Sequence, residues 1–312
     1  MTTRPRWAIN ALLVVGSLAF SLGIAEIAFR FVVPSATSTD MYAMSDDPQL
    51  SYVLRAGSEF DFEGFHILIP PSRVVISDQG LRERPVMVPR PAGERRIICL
   101  GDSFTFGWGV DVEHTWCRKL EEILGPPWRS INLGVPGYNT SQQLRLLQKV
   151  GLAFEPEVVL LMFNKTDLEP AVDHGDPDST TAWLLDHSAI LRWLHIEGFV
   201  GGGGGPEGEG EGPEGEGPEP GPSGEAAVRA GITQIGRLGR QKGFQAVMLM
   251  YPDHGGRQPI IEAALDSGMR WDSLLPATAG EGLVIPQDMH PNIEGHRRLA
   301  VHIAALVQRI IQ

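Results

Sequence analysis

Arg95-Arg96-Ile97-Ile98-Cys99-Leu100-Gly101-Asp102-Ser103-Phe104-Thr105 is the stretch that decides how this chain folds. Ile97 to Leu100 is a short apolar run rich in β-branched residues, with arginines before it and a glycine after it. That pattern suits a central strand of a parallel sheet, covered on both faces. Gly101 lets the backbone turn sharply, which leaves Asp102 and Ser103 at the strand's carboxyl end. In open α/β sheets ligands bind at that edge. A serine there faces a crevice, and a helix that starts at it points amide groups toward a developing oxyanion.

The far end of the chain supplies a partner. Asp288-Met289-His290-Pro291-Asn292 precedes an amphipathic helix expected over 293–311. An Asp two residues before a His on an extended segment can orient the imidazole. The imidazole's far nitrogen is then free to take a proton from Ser103. Singly, Ser103 and Asp288 read as helix-capping residues and His290 as a surface loop residue. Together they supply a nucleophile, a base and an orienter of the base.

These blocks resemble the SGNH/GDSL hydrolase family, in a bacterial, membrane-anchored form. The resemblance covers 95–312 apart from one insertion. It rests on Gly101-Asp102-Ser103-Phe104-Thr105-Phe106-Gly107-Trp108-Gly109, on Ile131-Asn132-Leu133-Gly134-Val135-Pro136-Gly137-Tyr138, and on Asp288 to Asn292. It implies an α/β fold: a flavodoxin-like three-layer sandwich around a parallel sheet. It further implies Ser103 as nucleophile, His290 as base and Asp288 as its partner, with the amides of Ser103 and Gly134 in an oxyanion hole. The third block departs from the family pattern. Relatives carry an Asn-Asp pair after the third strand, and the Asn side chain completes the hole. Here the stretch is Phe163-Asn164-Lys165-Thr166-Asp167, so aligning on Asp167 puts Thr166 at the Asn position and Asn164 two residues earlier. Either Asn164 or Thr166 fills the role, or the site is impaired. Loss of one such donor costs about a hundredfold or more in turnover.

The chain opens on a targeting element, residues 1–33. Arg4 and Arg6 precede an uncharged apolar run from Trp7 to Ala25, and Glu26 and Arg30 follow at a spacing that lets them meet on one helix face. About twenty apolar residues span a bilayer. The run exceeds a usual signal-peptide core and lacks an Ala-x-Ala site, so it reads as a signal anchor with a cleaved signal peptide as the alternative. The basic flank stays cytoplasmic, which puts the remainder outside the cytoplasm, in the periplasm. Residues 34–94 read as a connector carrying a small β layer. Strands are expected at 52–54, 66–69 and 73–76, with a turn at Asp78-Gln79-Gly80-Leu81, packed on the side of the main domain, and the whole serves as a spacer that holds the domain off the membrane.

Within 95–312, the sequence predicts helices over 112–124, 142–151, 225–242 and 259–267. Strands are expected over 129–133, 157–163 and 244–250, with a fifth at 282–285. Residues 168–200 form a lid-like insertion mixing acids with Trp183, Trp193 and Phe199. Asp173, His174, Asp176 and Asp178 match no calcium or zinc spacing and read as solvated loop. Residues 201–224 are Gly, Pro and Glu apart from Ser223, with almost no apolar surface, and read as a disordered loop. Asp253 and His254 fall at the Ser103 edge, His254 as a substrate contact only. The two cysteines, Cys99 and Cys117, read as small buried hydrophobes with no bond required.

The net charge of −12 owes much to glutamates of the 201–224 loop, and no basic stripe exists, so nucleic acid is not an expected partner. The expected reaction is hydrolysis of an acyl or acetyl ester, of an envelope glycan or lipid, with no metal or organic cofactor. The alternatives are O-acyl transfer to an envelope polysaccharide and a non-catalytic envelope-binding protein on the same fold.

Overall fold

The computed structural model describes residues 6–31, 41–62, 70–171, 180, 184, 187–196, 223–252, 258–286 and 288–312. The expectations at 66–69, for the acidic cluster at 173–178, for 201–222 and for Asp253 and His254 lie outside them. In chain order the elements are α1 (Arg6–Arg30), β1 (Tyr42–Met44), β2 (Tyr52–Leu54), β3 (Glu59–Phe62), β4 (Ser72–Val75), β5 (Arg95–Gly101), α2 (Ser103–Phe106) and α3 (Trp116–Leu124). Then follow β6 (Trp128–Gly134), α4 (Thr140–Lys149), β7 (Val158–Phe163), α5 (Ala189–Ile196), α6 (Gly224–Lys242), β8 (Gln245–Met250), α7 (Gln258–Asp266), β9 (Arg270–Ser273), α8 (Leu275–Thr278) and α9 (Ile293–Ile311).

The chain divides into two compact units, one holding α1 and α5, the other holding the remaining elements. Within the first, Asn10–Arg30 is a 21-residue apolar helix of mean hydropathy 2.1 with none of it buried, long enough to cross a bilayer or to serve as a signal sequence. Glu26 and Arg30 meet at 3.1 Å, as their spacing predicts. Glu26 also accepts the amides of Ala189 at 2.8 Å and Ile190 at 3.2 Å, so one carboxylate satisfies two of the orphan donors that open α5. Phe29 and Trp193 pack edge-on at 5.2 Å beside it.

The second unit is built on a five-stranded parallel sheet in the order β6-β5-β7-β8-β9. In chain order that is second-first-third-fourth-fifth, the flavodoxin-like arrangement. Strand β7 is apolar throughout, and β5 from Ile97 to Leu100, because both faces are covered. Ile98, Leu100, Val159, Leu161 and Phe163 pack with α4, α6 and α7 on one side. Ile97, Cys99, Val158, Leu160 and Met162 pack with α3 and α9 on the other. The two-residue period of a strand thus feeds two cores at once, which makes the three layers.

Two expectations need correction. The fifth strand is β9, a short edge strand of mixed polarity, while 282–285 makes only a single bridge, Val284 to Pro291. Its apolar residues Leu283 and Ile285 are buried as loop anchors instead. Cys99 and Cys117 are not separate hydrophobes: they form a disulfide joining β5 to α3 in the interior. The connector packs on the side of the sheet domain, as expected. It forms two antiparallel pairs, β1–β2 and β3–β4, and its Leu50, Tyr52, Leu54, Val74, Ile76, Leu81 and Val86 are buried in the α4-side core.

Candidate active site

The sheet's carboxyl edge places the nucleophile candidate. β5 ends at Gly101, and Asp102 caps α2 by accepting the Phe104 amide at 3.0 Å, so Ser103 is the first residue of a one-turn helix. Its amide belongs to the end of the helix that lacks internal acceptors. β6 runs parallel beside β5 and ends at Gly134 against this turn. A Cβ at Gly134 would lie 2.2 Å from the Phe106 nitrogen, so only glycine allows that approach. Asn132 completes the joint, its Nδ2 donating to the Thr105 carbonyl at 2.9 Å and its Oδ1 accepting the Gly134 amide at 2.9 Å.

The sequence between β9 and α9 returns to the same edge. His290 Nε2 lies 2.7 Å from Ser103 Oγ, across 187 residues of sequence. His290 Nδ1 lies 2.5 Å from Asp288 Oδ1, which also accepts the His290 amide at 2.7 Å. With Asp288 ionised, Nδ1 carries the ring proton and Nε2 is left as an acceptor for the serine hydroxyl. Burial works against the Asp288 carboxylate, but its hydrogen bonds from the His290 ring and backbone outweigh burial and hold its pKa below the usual aspartate value. The imidazole also lies beside two aromatic rings, Phe104 at 4.7 Å and Trp108 at 5.9 Å between centroids. Sequence reading passed over both as side-chain partners of His290, though their positions in the Ser103 block were the available signal.

Asn164 and Thr166 sit together beneath the serine turn. Asn164 Nδ2 donates to Asp102 Oδ2 at 2.8 Å, and its Oδ1 accepts the Thr166 amide at 2.9 Å. The Thr166 hydroxyl lies 2.7 Å from Asp102 Oδ2 and 2.6 Å from Asn164 Oδ1. Its one proton is therefore taken up by these acceptors, whereas the Asn164 amide keeps a second N–H beyond the one given to Asp102. Asp167 is buried just behind. It accepts the Asn164 amide at 3.0 Å, Thr140 Oγ1 at 2.8 Å and Gln143 Nε2 at 3.0 Å. Burial first, then the neighbouring charge of Asp102, push its carboxyl well above the usual range. The structure thus brings Ser103, Asp288 and His290 into one hydrogen-bonded chain. The Gly134 amide is turned toward Asn132, and the Asn164 side chain toward Asp102. Among the described residues there is no group of three or more His, Cys, Asp or Glu side chains arranged to hold a metal ion.

Comparison with solved structures finds the esterase EstA from a Pseudoalteromonas species at 13% identity and a TM-score of 0.47, covering 70% of this chain and 99% of that one. A lipase/acylhydrolase from Enterococcus faecalis matches at 16% identity and a TM-score of 0.42, covering 69% and 96%. AlinE4, an esterase of the SGNH-hydrolase family, matches at 18% identity and a TM-score of 0.41, covering 71% and 99%. No protein of curated function matches the chain in sequence. The model of the GDSL-like lipase/acylhydrolase family matches residues 99–298, well over half of the chain, and the protein belongs to that family of serine hydrolases acting on esters.

Proposed function

We propose that Ser103, His290 and Asp288 form the catalytic triad of this ester hydrolase, and that it removes acyl or acetyl groups from an envelope glycan or lipid. The hydrogen-bonded chain from Asp288 through His290 to Ser103 carries this reading. Ser103 Oγ attacks the ester carbonyl as His290 Nε2 takes its proton, and Asp288 stabilises the imidazolium that results. The tetrahedral oxyanion is held by the amides of Ser103 and Gly134 and by the free N–H of Asn164. The Gly134 amide exchanges Asn132 Oδ1 for the oxyanion as charge develops. His290 then protonates the departing alkoxide, leaving an acyl-serine. Water adds to that ester, His290 takes its proton, and collapse frees the carboxylic acid and returns the proton to Ser103.

The substrate class and location rest on the N-terminus. The α1 helix acts as a membrane anchor whose Arg4 and Arg6 flank stays cytoplasmic, which sets the sheet unit in the periplasm. The buried Cys99–Cys117 disulfide fits an oxidising compartment. A fluorophosphonate probe on the full-length protein, with a panel of acetyl and longer acyl esters, tests the reading. Labelling and turnover are expected in the wild type, lost in Ser103→Ala, and reduced in His290→Ala by about a thousandfold or more. Folded wild-type protein that neither labels nor turns over any ester would refute it.

A further inference from the structure

Arg82 is almost fully buried, at 1% exposure, yet among the described residues no carboxylate lies within ion-pair distance of it. Its two terminal nitrogens donate to main-chain carbonyls, while Nε is buried without a hydrogen-bond partner among the described residues. Nη1 donates to the carbonyls of Phe106 at 3.1 Å and Gly107 at 2.6 Å. Nη2 donates to those of Val110 at 2.6 Å and Arg73 at 3.1 Å. The plane of the group also lies over the Phe106 ring, 4.6 Å from its centroid. Phe106 and Gly107 are the last residue and the C-cap of α2, the turn that begins at Ser103. Their carbonyls are the orphan acceptors at the negative end of that turn, where a cation is favoured. The turn has four residues, so whatever fixes its end fixes its start.

From this geometry we infer that Arg82 is a positioning residue for the nucleophile, a fork that holds the far end of the serine turn and ties it to strand β4 of the connector. The inference rests on the esterase reading above. The Ser103 hydroxyl and amide leave the same residue, so a small rotation of the turn moves the attacking oxygen and one oxyanion donor together. Displacement of about 1 Å at a reacting group costs about a hundredfold. Lysine cannot substitute. Its ammonium is a point donor, whereas these four carbonyls match the spread of a planar guanidinium.

The test is Arg82→Lys and Arg82→Ala in the full-length protein, compared with wild type by circular dichroism, ester kinetics and the rate of fluorophosphonate labelling. Folded Arg82→Lys is expected to lose about tenfold to a hundredfold in kcat with KM within about twofold. Its labelling rate should fall in parallel. Methylguanidinium added to Arg82→Ala should raise kcat and the labelling rate, and have no such effect on wild type. A folded Lys variant with wild-type kcat would overturn the assignment, as would a loss confined to KM. Failure of both variants to fold would also overturn it, since Arg82 would then belong to the fold alone. A wild type without turnover or labelling sinks the esterase reading beneath it, whereas an active wild type matched by its variants sinks the Arg82 assignment only.

Discussion

The two halves of the candidate site are held by different means. On the serine side, backbone does the holding: β5 and β6 are paired along their length, Gly134 abuts the main chain of α2, and Val135 donates to the Gly101 carbonyl at 3.2 Å. On the histidine side there is no regular element among the described residues. Residues 282–286 and 288–292 are kept in place by the Val284–Pro291 bridge, by the Ile285 amide on the His290 carbonyl at 2.9 Å, and by Asn292. Asn292 Nδ2 donates to the carbonyls of Gly282 at 2.9 Å and Val284 at 3.1 Å, while its Oδ1 caps α9 by accepting the Gly295 amide at 3.0 Å. The start of the nucleophile's turn is thus set by paired strands, with the Arg82 fork at its far end, and the base by side-chain hydrogen bonds on a loop. Changes at the β5–β6 joint should register as stability, and changes on the second side as turnover.

The sharpest way to break that contrast is Asp288→Asn. The amide is nearly isosteric, so the loop and melting temperature should hold within a few degrees. The ring proton of His290 is no longer pinned to Nδ1, and kcat is expected to fall by about a thousandfold to ten-thousandfold. Unchanged kcat would remove Asp288 from the proposed triad. Gly134→Ala probes the other half. Its added methyl meets Phe106 backbone, which has no flexible end to swing aside. The expected cost is about 3 kcal/mol in denaturant unfolding, with loss of activity tracking loss of fold. A variant as stable as wild type would show that the serine turn is less tightly welded to β6 than the geometry indicates.

What the sequence disclosed follows the same division. β7 and the Ile97–Leu100 part of β5 were legible because strand segments buried on both faces are apolar at every position. The bounds of α9 were legible because Asn292 caps a clean amphipathic period. β9 was not, since Arg270-Trp271-Asp272-Ser273 has no strand pattern of its own and exists by pairing with β8. The run at 282–285 misled for the converse reason: buried Leu283 and Ile285 alternate like a strand but anchor a loop. The disulfide depends on how α3 packs against β5, a long-range relation that spacing does not encode. Arg82 carried no signal in the sequence, because its burial comes from the connector folding onto the core. At the site, Ser103 could be placed from its strand, and Asp288 and His290 from their two-residue spacing ahead of α9, whereas how Asn164 and Thr166 share the space beneath the serine turn needed coordinates.

The smallest expected effect tests the joint between the two halves. His296, on α9 just after the base loop, is fully buried, and its Nδ1 accepts the Trp116 amide at 3.2 Å where α3 begins. Burial chiefly, with the positive surroundings of Arg82, His290 and His114, lowers its pKa to about 3. In the unfolded chain it takes up a proton near the ordinary value of about 6.5. The unfolded state therefore binds more protons between those two values, and the neutral ring contributes its full stability only above pH 6.5. As pH falls below 6.5, stability is lost at about 1.4 kcal/mol per pH unit, or about 2 kcal/mol by pH 5. His296→Asn keeps an acceptor for the Trp116 amide and removes the titration. Asp288 also loses stability toward acid, but it is present in both proteins, so the difference between their unfolding curves isolates His296. The Asn variant should show a shallower acid limb between pH 6.5 and 5, measured by urea unfolding at several pH values. Parallel limbs would mean that His296 is hydrated or charged in the folded protein, and that α9 and α3 are joined less tightly than the buried contact implies.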